Sequence, residues 1–79
     1  MNRIEIQSPD ASECVEQANA TRLLNPGRWI EFHFQSFGAV AKSFGTSIQI
    51  ARKNGVDYGG SWDLSVGKWK SQLTELLES

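Results

Sequence analysis

This chain of 79 residues has one cysteine, one histidine, two prolines and no long apolar run. A lone Cys14 closes no internal disulfide. With a single His33 it cannot supply the usual four zinc ligands either, so no metal site is expected within a monomer. The opening stretch MNRIEIQSPD has no apolar signal core, and nothing approaches the roughly 20 apolar residues that cross a bilayer, so the cytoplasm is the expected location. Charge of one sign is missing as well. Eight Lys plus Arg against nine Asp plus Glu leave a net charge of -1, neither the basic excess of a general nucleic-acid binder nor the acidic excess of a DNA mimic. The glycine spacing matches neither a P-loop nor a dinucleotide fingerprint, so no cofactor is expected.

What the chain does have is bulk. Apolar residues make up 39%, among them three Trp and four Phe, enough for one small core, though a domain this short buries only about 60% of its unfolded surface. A single domain over residues 1–79 follows. Arg3 to Gln7 alternates, with Ile4 and Ile6 on one side, and reads as a half-buried strand. Ser8 as cap, Pro9 in the first turn, and Asp10 and Glu13 at the positive end of the dipole predict a helix from Pro9 to about Leu23. Its apolar stripe is Ala11, Cys14, Val15 and Ala18, and Asn25-Pro26-Gly27 ends it.

Residues 28–36 give the clearest strand, because Ile30, Phe32 and Phe34 share one face while Trp29, Glu31, His33 and Gln35 share the other. Residues 36–45, with Ser-Phe-Gly at both ends, are expected as a loop or single helical turn whose Phe37 and Phe44 plug the open end of the core. A strand over 46–52 then leads to a hairpin around Asn54-Gly55. A two-residue turn would pair Lys53 with Val56 and put Ile48 and Ile50 opposite Val56, Tyr58, Trp62 and Leu64; a three-residue loop with Gly55 left-handed in a bulge pairs Arg52 with Val56 and unites all six. The three-residue loop is therefore expected. A second helix, capped by Ser65, carries the stripe Val66, Trp69, Leu73, Leu76 and Leu77. The fold class is α+β: an antiparallel sheet of three to four strands with two helices on one face, in the order β-α-β-β-β-α. The other sheet face is left open.

Enzymatic activity is not expected. His33 has no nucleophile at a spacing that would make a Ser-His-Asp or Cys-His arrangement, and Cys14 sits on an apolar stripe. Asp57 and Asp63, on one strand, stand about 20 Å apart at roughly 3.3 Å per residue, too far to cooperate. The candidate site is a binding face. Trp29, Glu31, His33, Gln35 and Gln49, with Ser47 and Ala51, place one large aromatic among hydrogen-bonding groups, the composition of a protein-interaction patch.

Two resemblances bear on function. The helix, three strands, helix order from Pro9 to Leu77 resembles double-stranded-RNA-binding domains, in which basic residues at the second helix meet phosphates. That implies a nucleic-acid role for Lys68 and Lys70, with Arg52 and Lys53 nearby. The extra first strand and the acidic Glu75 and Glu78 depart from that family. As a small, aromatic-dense, nearly neutral chain without a catalytic motif, the protein also looks like the stand-alone inhibitors that phages deploy against host machinery, anti-CRISPR proteins among them. This second resemblance implies a larger protein or ribonucleoprotein partner, and leads; the open face and the edge strands are also where a second copy would dock.

Overall fold

The computed structural model describes residues 2–79. Its elements are β1 (Asn2–Ile6), α1 (Ala11–Leu24), β2 (Ile30–Phe34), a 3-10 turn (Gln35–Phe37), β3 (Ala39–Phe44), β4 (Ser47–Lys53), β5 (Val56–Asp57), β6 (Ser61–Asp63) and α2 (Trp69–Glu78). The expected α+β class is observed, as a six-stranded sheet ordered β1-β2-β3-β4-β5, with β6 also pairing β4. The sheet is mostly antiparallel. The exception is β1, which runs parallel to β2 because α1 lies between them as the crossover that parallel neighbours require.

Both helices pack on one face and against each other. Lys70 reaches Glu16 across them at 3.2 Å, and the Arg22 guanidinium lies 5.8 Å from the centre of the Trp69 ring. Under them, Ile30, Phe32 and Phe34 from β2 and Ile48 and Ile50 from β4 are fully buried, along with Cys14, Val15, Leu73 and Leu77. The middle strand contributes only Ala39, Ala41 and Ser43 to this side, so the bulky side chains of its neighbours have room.

Several expectations are corrected. Asp10, not Ser8, caps α1, its carboxylate accepting from the Glu13 N–H, while Ser8 Oγ accepts from the Asp10 N–H. Residues 36–45 are not a plug. Only Gln35–Phe37 coils, and Ala39–Phe44 is a full strand paired on both sides; Phe37 packs on the core, while Phe44 projects from the opposite face and is 53% exposed. The strand was hidden because its inward residues are too small to register as an apolar alternation.

The hairpin turn is also different. Lys53 pairs with Val56, and Asn54 and Gly55 both have positive φ, which makes a two-residue turn. The core is nonetheless not split, because the extra residue that parity demands sits in the strand. Ala51 is bulged out between Arg52, paired with Val40, and Ile50, paired with Ala41. The bulge turns Arg52 to the open face and Lys53 inward. There Lys53 Nζ donates to the Ser79 carbonyl at 2.8 Å, and the Asn54 amide, turned to donate to the Phe37 carbonyl, accepts from the same Nζ at 3.2 Å. Trp62 then pairs with Ile48 on the helix side as expected, but Val56 and Tyr58, expected in the core, are 66% and 46% exposed, where no helix covers them. The last strand breaks at Tyr58-Gly59-Gly60. A Cβ at Gly60 would stand 2.8 Å from Tyr58 Cε1, so the ring rests where only glycine leaves room.

The second helix begins later than expected. The Ser65 N–H and hydroxyl both donate to Asp63 Oδ1, at 2.9 and 2.7 Å, which makes a turn instead of a cap, and Val66 is left exposed. Lys68 stands at the helix start without a side-chain cap. No helix among the described residues is long and apolar enough to cross a membrane.

Candidate binding face

Register places the side chains of the uncovered face in rows. One row runs Arg3, Glu31, Lys42, Gln49 and Ser61 from β1 to β6; the next runs Glu5, His33, Val40, Arg52 and Asp57. In the first row, cation, anion and cation alternate on three adjacent strands. Opposite charges thus lie side by side across the sheet, the arrangement that stabilises cross-strand pairs. Between the rows is a shallow depression of about 300 Å³ walled by Glu31, Val40, Lys42, Ala51, Arg52 and Asp57.

Each expected site residue can now be located. Trp29 just precedes β2, 40% exposed, with its ring centre 5.7 Å from that of Phe44 at a tilt of 36°. Glu31 and His33 stand next to one another on β2, and His33 Nε2 meets Glu31 Oε1 at 2.6 Å; their side chains retain 20% and 16% exposure on a face that no helix covers. Gln35 lies in the 3-10 turn, where its amide donates to Glu5 Oε1 at 3.1 Å, the oxygen that also accepts from Arg3. Gln49 is exposed two strands from Glu31, across Lys42. The five therefore share one face. Trp29 and Gln35 mark opposite ends of β2, so they form a band and not a cluster.

Sequence reading missed Lys42, Val40 and Phe44, all on β3. The available signal was the alternation of Val40, Lys42 and Phe44 against Ala39, Ala41 and Ser43.

The four basic residues of the nucleic-acid reading are not brought together. Arg52 pairs with Asp57 at 3.6 Å on the open face, Lys53 is buried on the helix side, and Lys70 is held by Glu16. Of the four, only Lys68 has no side-chain hydrogen bond or ion pair among the described residues.

Cys14 is buried and its thiol donates to the Ser8 carbonyl at 3.2 Å; burial, with the charges of Glu13 and Asp10 adding to it, pushes the thiol above its ordinary value against the opposing pull of the Ser8 side chain. Asp63 is held below its ordinary value by the hydroxyl and N–H of Ser65. Among the described residues, no three His, Cys, Asp or Glu side chains come close enough to hold a metal ion. Comparison with protein-family models, with curated proteins and with solved structures finds no match to this chain.

Proposed function

We propose that the protein is a non-catalytic, cytoplasmic binding module that acts by occupying a surface of a larger protein partner with the open face of its sheet. The observation that carries this reading is the exposed Trp29–Phe44 pair at the edge of a face on which Arg3 with Glu5, His33 with Glu31 and Arg52 with Asp57 are already paired. An aromatic anchor supplies most of the energy at an interface centre, and charges already matched with one another cost less to cover than lone ones. Size agrees. The molecule exposes 4618 Å², so an ordinary footprint of about 800 Å² would take roughly a sixth of its surface. An inhibitor of the kind that phages direct against host machinery, anti-CRISPR proteins included, is the form of this reading that a chain with no catalytic constellation suits best.

Capture from native lysate with three baits tests it: wild type, Trp29→Ala, and Glu75→Lys on the exposed side of α2. Wild type and Glu75→Lys are expected to retain the same partner and Trp29→Ala to lose it. A partner that Trp29→Ala keeps and Glu75→Lys loses would move the interface to the helices and overturn the reading. A salt-sensitive, micromolar gel shift with duplex RNA would replace it with the nucleic-acid reading.

A further inference from the structure

At the end of the sheet where α1 stops and β2 begins, a cavity of about 240 Å³ is walled in part by Arg22, Asn25, Gly27, Arg28, Ser43 and Gly45. Two arginines line it and no Asp or Glu does. We infer that this cavity is a binding site for the phosphate group of a small molecule, separate from the open face and independent of its role.

Three features favour an anion there. Arg22 is fixed in place: its Nε donates to Asn19 Oδ1 at 3.0 Å and its plane rests by the Trp69 ring, which leaves its two terminal amino groups without a partner among the described residues. Arg28 is positioned by its backbone N–H on the Asn25 carbonyl, and its side chain makes no ion pair among the described residues. Ser43 is the third. It is 3% exposed, lines the cavity, and its hydroxyl has no hydrogen-bond partner among the described residues. No side-chain oxygen or nitrogen among those residues is both shut away from solvent and unpaired, so the Ser43 Oγ opens on the cavity. A hydroxyl in that position is free to donate to a ligand that enters the cavity.

The last turn of α1 would by itself repel an anion, because its carbonyls carry the negative end of the helix dipole. Two of them are already taken, the Arg22 carbonyl by the Asn25 N–H at 3.1 Å and the Thr21 carbonyl by the Asn25 amide at 2.8 Å. Charge then chooses among anions. Two arginines match the roughly -1.5 to -2 of a phosphate monoester at neutral pH, whereas a carboxylate would leave one cation unanswered. Volume limits the rest of the ligand. The cavity is smaller than the roughly 300 Å³ at which sites begin to enclose drug-sized molecules, so the phosphate carries at most a short substituent.

A proton–nitrogen NMR titration of the full chain at constant ionic strength, with inorganic phosphate, glycerol 3-phosphate, acetate and chloride as probes, tests the site. Both phosphates should give saturable shifts at the amides of Gly27, Ser43 and Gly45 and at the Nε–H of Arg22 and Arg28, with midpoints at least about tenfold below that of acetate. A lower midpoint for the ester would assign the site to a phosphorylated small molecule, and a lower one for inorganic phosphate to the free ion. Arg28→Ala, which removes an exposed side chain, should weaken binding about tenfold or more, and Ser43→Ala severalfold with the spectrum otherwise native. Should Ser43→Ala fail to fold, Arg28→Ala decides alone. Shifts that never saturate, an equal midpoint for acetate, shifts centred elsewhere, or an Arg28→Ala protein that binds as wild type would each overturn the site.

Discussion

The two faces of β2 differ sharply, although they are built from alternate residues of five consecutive positions. Ile30, Phe32 and Phe34 are buried under both helices, whereas Glu31 and His33 meet each other on the uncovered face. Strand alternation makes the separation obligatory, since moving one set inward moves the other outward. Stability therefore resides on one face, and the opposite face is free to carry chemistry that the core would not tolerate. Breaking the comparison means changing one face and asking whether the other notices.

Phe32→Ala should have the largest effect. The ring is fully buried beside Phe34, 6.3 Å between centres, and its removal opens a cavity expected to lower stability by about 3 to 5 kcal/mol. Native proteins hold only roughly 5 to 15 kcal/mol in total, so much of this small domain's stability goes. A urea melt followed by Trp fluorescence reads the loss directly. A melt displaced by less than about 1 kcal/mol would mean that the helices do not rest on β2 as described.

The mirror change is Trp29→Ala. Stability should fall by only about 1 kcal/mol, the contribution of a partly exposed aromatic pair, while affinity for the captured partner should fall by about 2 kcal/mol or more. Titration of partner and thermal melting, run on the same sample, separate the two numbers. Equal losses in both would merge the faces again and make Trp29 a piece of the core.

Much of that division was readable beforehand because β2 carries large side chains on strict alternation. The same holds for α1, where Ala11, Cys14, Val15 and Ala18 recur at helical spacing and are all buried. Legibility failed where inward residues are small. Ala39, Ala41 and Ser43 give no apolar signal, so the sequence of β3 reads as a loop with Phe44 in the core, whereas Phe44 lies beside Trp29 at the binding face. It failed a second time at the hairpin, where parity correctly required one extra residue but could not say where. The expected place is the loop at Asn54-Gly55, yet the bulge is at Ala51, an alanine with nothing in its identity to mark it. The parallel pairing of β1 with β2 departs from the expected antiparallel sheet and follows from the helix between the two strands. The band from Trp29 to Gln49 was thus recovered from β2 and β4 alone, without the strand between them.

Asn54 tests the device that keeps the faces apart at the hairpin. Its φ of 54° suits Asn or Gly, and its amide ties Phe37 to Lys53. Asn54→Ala should cost about 1 to 2 kcal/mol by chemical denaturation, from backbone strain, and Asn54→Gly less, since glycine accepts that conformation freely. If alanine were as stable as asparagine, the turn would not be the tight one, and the bulge at Ala51 would lose its reason.

The smallest effect belongs to the open face itself, at Asp63. Register puts this residue opposite Ser47, and its carboxylate accepts twice from Ser65. Those bonds favour the ionised form, so the folded-state value lies below the ordinary 3.8. A carboxyl depressed by folding contributes stability that is complete above its unfolded value. That contribution declines once the pH drops below 3.8 and is gone when it has passed through the lower folded value. Asp63→Asn keeps an oxygen that can accept from Ser65 but has nothing to titrate. Its melting temperature at pH 7 should stay near that of wild type, and the wild-type advantage, whatever its size at pH 7, should shrink between pH 4 and pH 2. Parallel melts across that interval check the sign. An advantage that grows on acidification would mean that Asp63 is strained when ionised, and would move it from the supported polar rim of the open face to a site where charge is held against the fold.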